Sequence, residues 1–196
     1  MALKYNKDKI EKLVLRSQQG DSEAFGQIYD VFVDAIYRYV YYRVKNEEVE
    51  DLVEIVFLKS WENINKYKKG KYSFSAWIFR IAHNLVIDYY RGKEARVDTL
   101  QLDEVLEETI QSYQREHKPI GCTELNLNNE ILIRALGTLK KTHYDFIVLK
   151  FINQLSNEEI AEILGKNESA LRVMQFRALK ELRTVLQAFE FDIGIL

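Results

Sequence analysis

A single proline, Pro119, in 196 residues is the feature that most narrows what this chain can fold into. Proline breaks helix interiors because it lacks an N–H and its ring clashes with the preceding turn. Its near absence leaves long helices open, and the apolar residues recur at helical spacing instead of alternating as strands do. Phe25, Ile28, Tyr29, Phe32, Ile36, Tyr39 and Val40 fall on one helical face. The pattern predicts an all-α protein. Two small helical domains, residues 1–92 and 129–196, are joined by a flexible acidic linker, residues 93–128.

Within the first domain, Gly20-Asp21 punctuates two helices, and Asp21 is placed to cap the second. A third helix begins at Asn46. Its apolar stripe is Val49, Leu52, Val53, Val56, Phe57, Trp61 and Ile64, and its other face is acidic, with Glu47, Glu48, Glu50, Asp51 and Glu54. A basic loop from Lys66 to Tyr72 follows. A fourth helix starts near Ser73 to Ser75, with Trp77, Ile78, Ile81, Leu85 and Val86 inward and Arg80, Asn84, Asp88 and Arg91 outward. The linker has four basic against eight acidic side chains, a composition that favours extended or disordered chain, with a short helix at 102–111 as an option. In the second domain Thr142 is the expected cap of a first helix. Ser156 and Glu159 have the spacing of a capping box. Ile160, Ala161 and Leu164 then face inward, Gly165-Lys166-Asn167 makes a turn, and a long helix begins at Glu168. Leu171, Met174, Ala178, Leu182 and Val185 form its inner stripe; Arg177 is expected to be partly buried. The apolar tail from Phe189 to Leu196 has no role assigned by its residues.

Several functions are disfavoured. Cys122 is the only cysteine, so neither an internal disulfide nor a thiolate cluster is available. His83, His117 and His143 lack metal-ligand spacing, and no nucleophile elbow or phosphate-cradling glycine loop occurs. The expectation is a protein that is not an enzyme and needs no cofactor or metal. The first residues lack the apolar core of a signal peptide, and no apolar run is long enough to span a bilayer. A cytoplasmic protein without membrane insertion is expected. The net charge of −2 matters most. Proteins that hold DNA alone usually carry a basic excess, because phosphate neutralisation supplies much of the affinity.

Three constellations remain. Helix–Gly–helix at the C-terminal end is a helix-turn-helix pattern, whose second helix would enter the major groove. There Arg172 suits guanine and Gln175 suits adenine. The plainer alternative is a solvated helical hairpin. The basic loop interleaves Lys66, Lys68, Lys69 and Lys71 with Tyr67, Tyr72, Phe74 and Trp77, as a single-strand binder would; Trp77 at helical phase also reads simply as core. The acidic third helix is either a protein-docking face or an ordinary solvated one.

Taken in order, these segments resemble a known family. Gly20-Asp21-Ser22-Glu23-Ala24-Phe25 resembles the opening of the core-binding domain of extracytoplasmic-function (ECF) sigma factors, of the sigma-70 superfamily. Glu50 through Glu62 resembles their polymerase-clamp helix, Phe74 through Arg91 their promoter-melting helix, and Leu155 through Ala178 the domain that reads the upstream element. The resemblance implies a region 2 bundle in residues 1–92 and a region 4 helix-turn-helix in 129–196. It implies core RNA polymerase as a partner, met by Asp51, Leu52, Glu54, Val56 and Phe57. It implies promoter DNA as a second partner. The −10 side would be read by Lys68, Lys71, Tyr72, Ser73, Phe74, Arg80, Asn84, Asp88 and Arg91. The −35 side would be read by Glu168, Ser169, Arg172, Gln175, Phe176, Arg177 and Lys180. An anti-sigma factor is an optional further partner. The chain departs from the family at Leu139-Lys140-Lys141, where a proline is common, and at Val173-Met174-Gln175-Phe176, which is less polar than usual. A stand-alone helix-turn-helix regulator and a pure protein-interaction module are the rival readings.

Overall fold

The computed structural model describes residues 5–44, 46–70, 72–97 and 134–193, with backbone alone at 46, 93–97 and 189–193. The expected Lys71 contact, the expected helix at 102–111 and most of the linker lie outside the described residues. Among the described residues the regular structure is helical, without strands.

Helix α1 (Lys7–Gln18) starts where the Asn6 side chain accepts from the backbone N–H groups of Asp8 and Lys9. Gly20, at φ +90°, turns the chain into α2 (Ser22–Tyr41). Asp21 caps α2 as expected, accepting from Ala24 N–H at 3.0 Å and pairing with Arg16. A 3₁₀ turn (Asn46–Glu48) leads into α3 (Val49–Asn63). Gln18 donates to the carbonyls of Ile64 and Tyr67, at 2.9 and 3.0 Å, which ties the following loop to α1. Ser73 caps α4 (Phe74–Val97), accepting from Ala76 N–H at 3.1 Å. Helix α4 therefore continues past Gly92 into the stretch expected to be linker.

After helical residues 134–137 come α5 (Lys141–Ile147) and a π-turn (Val148–Ile152). Thr142 does not cap α5. The cap position is Lys140, whose side chain makes no cap bond; its backbone N–H donates instead to Glu181 of the last helix, at 3.2 Å. Helix α6 (Asn157–Leu164) has the complete capping box and ends on Gly165 at φ +63°, a left-handed conformation in which glycine avoids the Cβ penalty. Asn167 then caps α7 (Glu168–Ile193), accepting from Ala170 N–H at 2.8 Å.

Phe32, Tyr39, Phe74 and Phe79 are fully buried among α1, α2 and α4, where each gains roughly 1.5–3 kcal/mol from leaving water. Phe146, Leu149, Ile160, Leu171 and Ala178 form the smaller C-terminal core. The two cores join, because α6 packs along α4 and the π-turn meets α2.

Candidate nucleic-acid interface

The polar face of α4 carries Arg80, Asn84, Asp88 and Arg91, all exposed, one helical turn apart in succession. Tyr72, Trp77, Arg80, Asn84 and Glu162 line a cavity of about 260 Å³ at the start of this face. Trp77 is half-buried. Its ring meets Tyr67 edge-on at 5.7 Å and leans on Phe74 at 5.3 Å, so it serves the core and the cavity wall together. Phe74 is a different matter. It is buried against Phe32 and Tyr67, so the expected DNA contact at this position is withdrawn. Lys68 is exposed in the loop; Tyr72 and Ser73 are half-buried.

On α7 the first turns stand clear of the core. Glu168, Ser169, Arg172, Phe176, Arg177 and Lys180 are exposed and Gln175 is half-buried. Arg177 is thus more open than its place in the sequence suggests. Phe176, at 70% exposure, is the most exposed large apolar side chain among the described residues. Arg172 reaches Glu168 at 3.8 Å in an exposed pair, an interaction too weak to hold its guanidinium against a better acceptor.

The third expected surface needs correction. Val56 (0%) and Phe57 (5%) are inside, with Leu52 at the edge of burial, because they belong to the apolar stripe that packs α3 on α2. They cannot touch a partner. The outward face of α3 is instead Asp51, Glu54, Ile55 and Leu58, the last 57% exposed. These positions follow the i, i+3, i+4, i+7 rule, so two acids and two apolar side chains share one strip. Tyr29, its ring tilted against Phe57 at 4.5 Å, extends the apolar surface onto α2. Ile55 and Leu58 were hidden in the sequence because they break the apolar period of the buried stripe.

A seam of buried polar groups joins the two halves. Arg43, in the turn just after α2, pairs with Asp145 of α5, with side-chain exposures of 5% and 8%. The Arg43 guanidinium also lies over the rings of Tyr39 and Tyr144, and donates to the Tyr39 hydroxyl at 3.1 Å. Burial opposes the Arg43 charge, but Tyr39 and Asp145 outweigh it and its pKa goes up. Tyr39 in turn bonds His83 Nδ1 at 2.9 Å, and burial pulls the His83 pKa down. At the other end of the seam Glu159 of α6 is buried. One carboxylate oxygen accepts from Ser156 N–H, which completes the capping box. The other accepts from Ser75 Oγ at 2.7 Å, Ser73 Oγ at 3.2 Å and the Tyr5 hydroxyl at 3.4 Å. Burial pushes the Glu159 carboxyl up, yet the hydrogen bonds from Ser75 and Ser156 prevail and hold it below the usual range. Sequence reasoning saw only the cap. Asp145 was missed outright, although a lone acid in Phe146-Ile147-Val148-Leu149 surroundings is a signal of a buried partner. Among the described residues no group of His, Cys, Asp and Glu could hold a metal ion.

Comparison with known proteins decides the family. The description "Sigma-70 region 2" fits residues 28–96, and "Sigma-70, region 4" fits residues 129–182. The chain is 30% identical to the ECF RNA polymerase sigma factor SigW of Bacillus subtilis, over 91% of this chain and 97% of that protein. It belongs to the ECF RNA polymerase sigma factors. It is also 33% identical to BldN of Streptomyces coelicolor, over 91% of this chain but only 66% of that longer relative. The fold matches that of the sigma factor RpoE of Bartonella quintana, solved in complex with the anti-sigma factor NepR. The TM-score there is 0.62 and the identity 20%, over 83% of this chain and 96% of that one. In this ECF sigma factor the region 2 match runs from within α2 through α4, and α5 to α7 hold most of the region 4 match. No described helix is long and apolar enough to cross a membrane.

Proposed function

We propose that the chain binds core RNA polymerase and directs promoter-specific initiation by reading two promoter elements, and that it catalyses no reaction itself. The observation that carries this reading is the presence, in one chain, of an α4 face and an α7 face that both expose cationic and polar side chains of the kinds that suit nucleic acid. The α4 face, with Arg80, Asn84, Asp88 and Arg91, takes the non-template strand of the −10 element together with Lys68, Tyr72 and Ser73 ahead of it; Lys71, outside the described residues, is assigned to the same strand from the sequence alone. Unstacking a base costs a few kcal/mol, which a shaped cavity and stacking contacts can offset without ATP. The α7 face takes the −35 element, with Arg172 on a guanine and Phe176 against a thymine methyl. Glu168, Ser169, Gln175, Arg177 and Lys180 flank them.

Polymerase docks on the α3 strip, where Ile55 and Leu58 give apolar anchors and Asp51 and Glu54 give an acidic rim. The net charge of −2 supports a division of labour in which polymerase supplies much of the grip on DNA. The work is cytoplasmic. An anti-sigma factor, such as the one RpoE of Bartonella quintana is seen with, is a regulator of the same class for this chain.

In-vitro transcription tests the whole reading: the chain and core polymerase are given a promoter library and the start sites are sequenced. Defined starts that share two spaced elements are expected. Tight operator binding by the chain alone, with no polymerase-dependent starts, sinks the proposal in favour of a stand-alone regulator. The docking strip has its own test. Asp51→Lys is expected to abolish co-purification with core polymerase while leaving the helical circular dichroism unchanged; undiminished recovery removes the strip from the reading.

A further inference from the structure

Helix α7 meets the upstream element with its first turns, yet little of those turns touches the core. From Glu168 to Lys180 only Leu171 and Ala178 are buried, with Met174 and Gln175 half-buried. Apolar contact of this kind is non-directional, so it holds α7 against its neighbours without fixing its tilt. The directional contact comes at the end of these turns. Glu181, half-buried on α7, accepts from His143 Nδ1 of α5 with one carboxylate oxygen and from the backbone N–H of Lys140, at 3.2 Å, with the other. Burial pushes the Glu181 carboxyl up, but these two bonds outweigh it and hold it below the usual range. A carboxylate can only accept, so the proton of the first bond sits on His143 Nδ1. Two bonds to points three residues apart set a direction, where one bond would leave a pivot.

The second bond depends on a departure from the family. A proline is common just before the first helix of this domain, and a proline has no N–H to give. This chain has Lys140 there, at φ −55°, a value that proline itself adopts. The backbone takes a course open to proline and gains a donor. The Lys140 side chain makes no cap bond. Glu181 therefore supplies, from 41 residues away, the acceptor that a capping-box glutamate supplies locally. The start of α5 and the course of α7 are joined at one side chain.

Leverage makes this joint matter. Arg172 lies nine residues before Glu181, about 13.5 Å along the helix axis at a rise of 1.5 Å per residue. A tilt of about 15° at the joint, within the ordinary scatter of helix packing angles, moves Arg172 by about 3.5 Å. That is one base-pair step, about 3.4 Å along the duplex. We infer that Glu181 is a positioning residue for the upstream element: held by His143 and the Lys140 N–H, it fixes the tilt of α7 on α5 and so selects the base pair that Arg172 reads. This rests on the proposed function and adds to it a determinant of specificity that lies outside the proposed DNA contacts.

Transcription by the full chain on core polymerase tests it, using a promoter recovered in the library experiment and its single-base variants across the upstream element. Arg172→Ala locates the base pair that Arg172 reads. Discrimination is the ratio of initiation on the parent promoter to initiation on the variant at that base pair. Glu181→Ala removes both bonds and should lower this ratio about tenfold, within the range of one bidentate base contact. Lys140→Pro removes a single N–H and leaves Glu181 in place. It should lower the ratio by less, and it decides alone if the first variant does not fold. In the Arg172→Ala background neither change should lower the ratio further, because Glu181 acts through that guanidinium. A residue that serves only the fold would reduce initiation by one factor on every promoter variant and leave the ratio alone. That outcome, wild-type ratios in both variants, or a further fall in the Arg172→Ala background overturns the inference. So does an Arg172→Ala loss that is equal on all variants, since no base pair is then selected. If the wild-type chain gives no polymerase-dependent starts at all, it is the proposed function that has failed.

Discussion

The two halves of the molecule are held together by different means. Of the largest fully buried side chains, Tyr39, Phe32, Phe74, Phe79, Ile10, Ile28, Ile36 and Ile78 lie in the first half, and Phe146, Leu136, Leu149 and Ile160 in the second. The first half is stabilised by aromatic and aliphatic packing of its own. The second has about half as many such anchors and a long, largely exposed α7. It completes its burial by leaning on the first, through the joined apolar cores and through charged and hydroxyl groups. Apolar packing is non-directional and tolerant, whereas a buried ion pair stabilises little unless both partners are in place.

The largest expected effect comes from breaking that contrast at Asp145. Asp145→Ala leaves the Arg43 charge buried without its carboxylate, a loss on the order of 3–5 kcal/mol while the seam stays shut. Opening the seam relieves it, since Arg43 then meets water. Urea unfolding followed by both tryptophan fluorescence and circular dichroism should resolve two transitions in the variant where the wild type shows one. A single coincident transition at unchanged midpoint would mean that the pair does not hold the halves together.

Trp77→Ala probes the packed half. A fully buried tryptophan costs about 3–5 kcal/mol when truncated, and the half-exposed ring of Trp77 places this loss nearer 2–3 kcal/mol. The fold should suffer more than promoter opening measured below the unfolding midpoint. A variant of wild-type stability with defective opening would make Trp77 a base platform first and a core residue second. Arg172→Ala reaches the exposed half and should leave urea stability within about 0.5 kcal/mol of wild type. It should cost about 1–3 kcal/mol at one base pair of the upstream element, read by transcription from single-base promoter variants. An equal loss on every sequence would make Arg172 a phosphate contact.

Where the sequence was legible follows from the same physics. Periodicity exposed α2, α3 and α4, and the Ser156–Glu159 spacing exposed α6, because these are local rules satisfied within one helix. Reading Phe74, Val56 and Phe57 as contacts failed because family position says nothing about which way a side chain points. Asp145 and the second role of Glu159 depend on partners 102 and 84 residues away, and no local pattern carries such pairings. Ile55 and Leu58 could have been found by asking which apolar residues fall outside the buried stripe of their own helix.

The smallest expected effect is a pH dependence that reports on the seam from within. His83 is buried and bonded to Tyr39, and burial sets its folded pKa below the ordinary 6.5. Unfolded, it takes up a proton as pH falls through about 6.5. Folded, it resists until lower pH. The unfolded state therefore binds more protons in that window, so stability falls as pH drops below 6.5 and levels off once folded His83 is also charged. His83→Gln should flatten the urea midpoint between pH 6.5 and 5, above the range where the depressed Glu159 and Asp21 carboxyls take over. Asp145 is the one neighbour among the leading influences that supports the His83 charge, against Arg43, Lys141 and Arg80. With Asp145→Ala the slope should steepen if the seam stays shut, because only the opposing cations remain. It should shallow if the seam opens and water reaches the ring. The sign of that change therefore tells apart a molecule that merely loses an ion pair from one whose two halves have come apart.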